Sequence, residues 1–159
     1  SDIKNIAIWA IKYSYLSQDR ERDIVFNWDK ALTFEWNSGP YIQYAFVRAS
    51  KILKEIENFQ YEISDKELPL SPYDKKLIRV ILTFPEVIEK SIQSYKAHHI
   101  AIFSYEIATI MNEFYVHTPK ILEENSTDLK NFRIELIRKS VSILEKSFWI
   151  IWINMPSAM

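Results

Sequence analysis

The chain has 159 residues, no cysteine, a single glycine (Gly39) and a formal net charge of −1. Average chains contain roughly 7 % glycine, and phosphate-cradling loops need several, so GxGxxG and Walker motifs are excluded. The lack of cysteine excludes disulfides and a thiolate nucleophile, and the balanced charge predicts no broad attraction to nucleic acid. Glycine-dependent hairpin turns are also disfavoured, which leaves a mainly helical fold.

Apolar residues recur at helical spacing along most of the chain and are interrupted by polar clusters and prolines. Residues 59–70 have no clear period and are predicted to form a loop. In chain order, the predicted helices span residues 3–17, 29–34, 41–58, 72–84, 85–95, 98–116 and 127–154. About seven helices with short connections predict an all-α helical bundle.

Side chains at the predicted helix starts support these boundaries. Asp2 and Asp29 are predicted N-caps, and Ser71 followed by Pro72 is typical of a helix start. Pro85 is predicted to end one helix and to open the next, because proline lacks the N–H that a helix interior needs.

Residues 148–153, FWIIWI, form the longest uninterrupted apolar run. The run is far shorter than the roughly 20 residues that span a bilayer, so no membrane helix is predicted. The first residues lack the basic start of a signal peptide, and none is expected. Because the end of this helix is apolar all round, it must be covered on several sides. Two explanations stay open: burial in the core of the chain, or docking on a partner domain.

No arrangement of residues in the sequence predicts an active site. A single glycine cannot supply the GxSxG nucleophile motif, and no HExxH zinc motif occurs. His98 and His99 are adjacent, so on a helix they point about 100° apart and are not spaced to share a metal ion. We therefore expect no catalytic residue, metal or cofactor in this chain.

One face of the helix predicted at 41–58 combines an aromatic ring with cations. Tyr44, Arg48, Lys51 and Glu55 follow helical spacing and share this face. Single-stranded RNA is recognised by rings that stack on bases and by cations that hold phosphates. The same pattern also occurs on an ordinary amphipathic helix with a solvated face, so both interpretations stay open from spacing alone.

The segment FEWNSGPYIQYAFVR at 34–48 resembles the signature F-E-G-N-[ST]-G-P-Y-[IL]-Q-Y-A-[HY]-x-R of arginyl-tRNA synthetases. In that class I family the signature opens the C-terminal anticodon-binding domain, a helical bundle of DALR type. Further stretches agree in order: AIKY at 10–13 with FNWD at 26–29, YEIA at 105–108 with NEFY at 112–115, and PSAM at 156–159. The resemblance covers nearly the whole chain.

The resemblance implies roles for particular residues. Tyr44 and Arg48 would contact the anticodon stem-loop, and Tyr115 and Met159 would lie against the anticodon bases. Asn37 and Gly39 would belong to a loop beside the anticodon, with Gly39 at a sharp turn. Lys51 completes the candidate tRNA-binding residues as a further cation on the face of Tyr44 and Arg48.

The sequence also departs from the family pattern. Trp36, Ser147 and Trp152 stand where the family usually has glycine, and Ala158 stands where arginine is common.

The resemblance also implies a parent enzyme. Residues 1–159 would form one anticodon-binding domain of a cytoplasmic, monomeric arginine–tRNA ligase, and the catalytic Rossmann domain would lie outside this chain. The parent would use ATP and Mg²⁺ to join arginine to tRNA(Arg), whereas this chain alone would be non-catalytic. Its partners would be the anticodon stem-loop of tRNA(Arg) and the catalytic domain of the same enzyme, with no membrane partner. The alternative is a free-standing adaptor that binds RNA or a protein.

Overall fold

The computed structural model describes residues 2–35, 37–56 and 67–156. The α-helices of these ranges are α1 (Asp2–Leu16), α2 (Trp28–Leu32), α3 (Gly39–Glu55), α4 (Pro72–Ser94), α5 (His98–His117) and α6 (Thr127–Ile150), with a short 3₁₀ helix at Ile121–Glu123 before α6. No strand occurs in this part of the chain. The predicted all-α fold is confirmed, with six α-helices where about seven were expected. Most of the predicted loop at 59–70 lies outside the described residues.

Polar caps place the starts of three helices. The Ser71 hydroxyl accepts a bond from the Asp74 N–H and the Asp74 carboxylate accepts one from the Ser71 N–H, so α4 begins with the predicted serine and a complete capping box. Ser38 caps α3, which begins before the predicted residue 41. The predicted cap at Asp29 is wrong: Asn27 accepts the bond from the Lys30 N–H, and Asp29 lies in the first turn of α2.

Pro85 lies inside α4, so the helix boundary predicted there is wrong. Pro85 has no N–H to donate to the carbonyl oxygen of Ile81, a loss that costs about 3 kcal/mol in a helix interior. Apolar side chains on both sides of the proline pack on the core: the Phe84 ring stacks on Phe103 of α5 with centroids 5.7 Å apart, and Val87 also contacts the core. Packing along α5 therefore stabilises a continuous helix across Pro85.

Helix α5 lies at the centre of the core. It packs against α3, α4 and α6, and α1 packs mainly against α2 and α3. Ile107, Ala108, Met111 and Phe114 of α5 are fully buried. The helices therefore share one hydrophobic core, and α3 is held between α1 and α5.

A buried ion pair joins α4 to α6. The guanidinium of Arg133 donates to both carboxylate oxygens of Asp74, at 2.9 and 3.0 Å, and to Glu124 at 2.7 Å. Both Asp74 and Arg133 are buried. Burial alone would raise the pKa of Asp74, but hydrogen bonds from Arg133 and Ser71 outweigh it and hold the pKa below its usual value.

The apolar run at the end of α6 is divided between the core and the surface. Phe148, Ile151 and Ile153 are buried, whereas Trp149 and Trp152 are exposed. Helix α6 ends at Ile150, before the predicted residue 154. Burial in the core therefore accounts for three of the six apolar residues at 148–153.

Aromatic residues follow two of the helices in the left-handed conformation. Tyr95 follows α4 with φ 54°, and Trp152 follows α6 with φ 61°. A side chain there costs roughly 1–2 kcal/mol, which is why glycine usually takes this position. The one glycine of the chain is not used at either helix end.

Candidate nucleic-acid interface

The exposed face of α3 carries the predicted ring and cations. Tyr44 is 49 % exposed, and Arg48, Lys51 and Glu55 are also exposed. The opposite face is buried in the core, mainly through Ile42, Ala45 and Ala49. The amphipathic pattern of α3 therefore orients Tyr44, Arg48 and Lys51 together toward solvent.

Arg48 is joined by Tyr115 from α5. The guanidinium carbon of Arg48 lies 5.1 Å from the centre of the Tyr115 ring, within the range of a cation–π interaction. Burial raises the pKa of Tyr115 above its usual value, although the positive charge of Arg48 acts in the opposite direction. The phenol is therefore neutral, and the guanidinium is positioned over it.

The Tyr115 hydroxyl is a buried group that has no hydrogen-bond partner within the described part of the chain. The Tyr115 side chain lines a cavity of about 510 Å³ together with Arg48, Ile52, Pro119 and Lys120. A buried hydroxyl without a partner costs free energy, roughly 1–3 kcal/mol.

Contacts near the start of α3 set its position on α5. Asn112 donates a hydrogen bond to the Tyr41 hydroxyl at 3.0 Å, and the Tyr41 ring packs against Tyr105 with centroids 5.5 Å apart. Phe114, next to Tyr115, is fully buried. Together these contacts fix α3 and α5 so that Arg48 lies over Tyr115.

The structure places Asn37 and Gly39 away from this site. Asn37 Oδ1 lies 2.5 Å from the hydroxyl of Tyr13, a buried residue of α1. Gly39 is the first residue of α3, about 14 Å along the helix axis from Arg48. Asn37 and Gly39 line a separate cavity of about 300 Å³ beside α1.

Gly39 begins α3 in a backbone conformation that does not itself require glycine. Gly39 has no positive φ. A Cβ atom at this position would lie 3.2 Å from the Cα of Ala10 and 3.2 Å from the Cβ of Tyr13. A glycine here therefore suits the close approach of α3 to α1, because a Cβ atom would crowd the Ala10 backbone and the Tyr13 side chain.

Lys120 is a residue of this site that the sequence did not predict, and Met159 is a predicted one that the structure does not describe. Lys120 lines the Arg48–Tyr115 cavity and donates to Glu123 Oε1 at 2.8 Å, but no periodic signal marks it, because it lies outside every predicted helix. Met159 lies outside the described residues. Five residues before it, the carbonyl oxygen of Asn154 accepts a 3.4 Å hydrogen bond from the side chain of Gln43, the neighbour of Tyr44.

The described ranges hold neither a metal-binding cluster nor a membrane-spanning helix. No group of three or more histidine, cysteine, aspartate or glutamate side chains could hold a metal ion there. None of the helices described is both long and apolar enough to cross a membrane.

Comparison with known proteins places this arrangement in a family. Residues 42–159 match the model of the DALR anticodon binding domain. Arginine–tRNA ligases of Methanococcus maripaludis strain C6 and Pyrococcus abyssi are each 33 % identical over 98 % of the chain, which spans 27 % and 25 % of their lengths.

Solved structures agree with these sequence matches. The arginyl-tRNA synthetase of Thermus thermophilus superposes with a TM-score of 0.88 and 25 % identity over 98 % of the chain and 27 % of that protein. The Plasmodium falciparum enzyme, 24 % identical, shares the fold with a TM-score of 0.80 over 98 % of the chain and 27 % of that protein. The chain spans about a quarter of the length of these proteins. It belongs to the DALR anticodon-binding domain family, in the form found in arginyl-tRNA synthetases.

Proposed function

We propose that this chain binds the anticodon arm of a tRNA for arginine. The observation that carries the proposal is the position of Arg48 over Tyr115, beside the exposed ring of Tyr44. Rings offer stacking planes for unpaired bases, and guanidinium N–H groups donate to phosphates and base edges. Membership of the DALR family supports an anticodon loop as the RNA that this site accepts.

The chain would act within a longer arginine–tRNA ligase. Its relatives carry that name and are about four times as long. In this proposal residues 1–159 form the anticodon-binding domain, and the rest of the parent protein joins arginine to tRNA(Arg) with ATP and Mg²⁺. The chain itself has no catalytic residue and holds the anticodon arm, so that the distant acceptor end reaches the catalytic domain.

Titration with short RNA tests the binding proposal directly. A fluorescently labelled anticodon stem-loop of tRNA(Arg) is compared with the same hairpin changed at the middle anticodon base, with anisotropy as the measurement. We expect tighter binding to the unchanged loop, because base edges as well as phosphates are read. Equal affinity for the two hairpins would contradict anticodon recognition.

Substitution of Arg48 tests whether this face of α3 is the site. Arg48→Ala is expected to weaken binding roughly tenfold, the effect of one strong contact to a base or phosphate. Arg79→Ala is the matched control: Arg79 is exposed on α4, which makes no contact with α3 in the described residues. The control is expected to bind like the unchanged chain, and an equal loss in both variants would assign the effect to charge alone.

A further inference from the structure

Trp152 occupies a backbone conformation that suits glycine. Its φ is 61°, and it lies two residues after Ile150, the last residue of α6. Its N–H donates to the carbonyl oxygen of Trp149 at 3.1 Å, and the Ile153 N–H donates to that of Phe148 at 2.8 Å. This pair of bonds is the Schellman motif, in which the left-handed residue is usually glycine. Trp152 is therefore strained relative to glycine.

Packing within the described residues does not compensate for this strain. The Trp152 side chain is 84 % exposed, and Trp149, three residues earlier, is 75 % exposed. A bulky left-handed residue that buries little of its ring contributes little to the stability of the fold. Backbone strain of this kind concentrates at functional positions. The two rings are thus candidates for contact with a molecule outside the chain.

Lysines flank the two rings. Lys12 of α1 donates from Nζ to the Trp152 carbonyl oxygen at 3.0 Å. Lys146 lies one helical turn before Trp149 and is exposed, with Glu145 beside it. Among these charged residues near the two tryptophans in the chain or in contact with their backbone, the two lysines outnumber the one glutamate, which favours an anionic partner.

The rings are also continuous with the α3 site. Gln43 Nε2 donates to the carbonyl oxygen of Asn154, two residues after Trp152. Gln43 precedes Tyr44, so Trp152 lies within about 20 Å of the Tyr44 backbone. Around the axis of α3, the side chain of Tyr41 points toward α5, and that of Gln43 points to the opposite side, toward Asn154. The exposed face of α3 therefore lies between Tyr115 and the segment that follows Trp152.

We propose that Trp149 and Trp152 form a second stacking platform for the RNA bound at Tyr44, Arg48 and Tyr115. Unpaired bases stack on the two rings, and Lys12 and Lys146 contact the adjoining phosphates. The inference rests on the proposed function. RNA is favoured over a protein partner by the flanking lysines and by the continuity with the α3 site.

The decisive variant is Trp152→Gly, measured for thermal unfolding and for affinity to the tRNA(Arg) anticodon stem-loop. Removal of the strain is expected to raise Tm by about 2–4 °C, while loss of the ring weakens RNA binding at least about fivefold. Trp152→Phe keeps a ring and is expected to bind within about twofold of the unchanged chain. A merely structural role for Trp152 could not produce higher stability together with weaker binding.

Tyr95→Gly is the matched control. Tyr95 has the same left-handed conformation after α4 and is 78 % exposed. The control is expected to raise Tm by a similar amount, because it relieves the same kind of strain, and to leave RNA affinity unchanged. It separates relief of backbone strain from loss of an RNA contact.

The outcomes separate this inference from the proposed function. If Trp152→Gly raises Tm but binds RNA as tightly as the unchanged chain, the platform is excluded. If Trp152→Gly fails to fold, Trp149→Ala and Lys12→Ala decide by the same affinity measurement, since full affinity in both excludes the platform. If the unchanged chain binds no RNA, the proposed function fails and the platform with it.

Discussion

The guanidinium carbon of Arg48 lies 5.1 Å from the centre of the Tyr115 ring, so that a cation of α3 covers an aromatic side chain of α5. The two residues are 67 positions apart in the sequence, and only the packing of α3 against α5 brings them together. The exposed ring of Tyr44 lies one helical turn before Arg48 on α3. The site thus depends on the relative position of two helices.

The Tyr115 hydroxyl is the first target for a test. Tyr115→Phe removes a buried hydroxyl that has no partner in the described part of the chain, so we expect stability to rise by about 1 kcal/mol. If RNA accepts this hydrogen bond, the same variant binds the anticodon stem-loop several-fold more weakly. Thermal unfolding and anisotropy measure the two effects. A clear loss of stability would mean that the hydroxyl is already bonded in the fold.

Lys51 is expected to act through charge rather than through base recognition. Lys51→Ala should weaken binding equally for matched and mismatched hairpins and reduce the slope of log affinity against log salt by about 0.7–1. Lys75→Ala, an exposed lysine on α4, is the control and should leave the slope unchanged. An unchanged slope for Lys51→Ala would remove this residue from the interface.

Gly39 tests the close approach of α3 to α1. The added Cβ of Gly39→Ala would lie 3.2 Å from both the Ala10 Cα and the Tyr13 Cβ. We expect destabilisation by about 1–3 kcal/mol, as for overpacking in a core, measured by urea unfolding. The higher helix propensity of alanine, worth up to about 1 kcal/mol, acts in the opposite direction. Net stabilisation would therefore show that α1 moves away at little cost.

The Asp74–Arg133 pair is expected to make a large contribution to stability. Arg133→Met should destabilise the protein by about 3–5 kcal/mol, because it leaves the Asp74 carboxylate buried without its charged partner. Urea unfolding at neutral pH measures the loss. Arg138→Met, at an exposed position of the same helix, is the control for loss of one arginine. Equal stabilities of these two variants would contradict the role of the buried pair.

Because of the same pair, the free energy of unfolding is expected to depend on pH in the acid range. The pKa of Asp74 is lower in the folded chain than its usual value. Its contribution to stability is therefore complete above about pH 4 and is lost as pH falls through the lower folded-state pKa. In Asp74→Asn this part of the pH dependence should disappear from urea unfolding measured between neutral and acid pH. An unchanged acid profile would assign the dependence to other carboxylates.

Pro85 tests the continuity of α4. Pro85→Ala supplies the N–H that can bond to the Ile81 carbonyl, so stability should rise by about 1–3 kcal/mol. The greater freedom of the unfolded chain without the proline reduces this gain by up to about 1 kcal/mol. Urea unfolding measures the change. Pro72→Ala is the control, since Pro72 is the first residue of α4, where an N–H group would form no hydrogen bond within the helix. No gain from Pro85→Ala would indicate a kink that the core requires.

Local chemistry determined the helices of this protein and most of their boundaries. The start of α4 at Ser71 and Pro72 follows from a hydroxyl and an N–H that lie three residues apart, and the exposed face of α3 follows from a period of 3.6 residues. The spacing of Tyr44, Arg48 and Lys51 was predictable for the same reason. Such features depend on neighbours within about one turn of the chain.

Tertiary packing decided what depends on distant residues. Helix α4 continues through Pro85 because α5 packs along it, and Gly39 fits the start of α3 because α1 lies close against it. Packing also brought Tyr115 beneath Arg48 and left Trp152 strained and exposed. The sequence by itself determined which residues share a helix face, whereas only the packed helices decided which faces meet, because contact energies depend on distances that no local pattern contains.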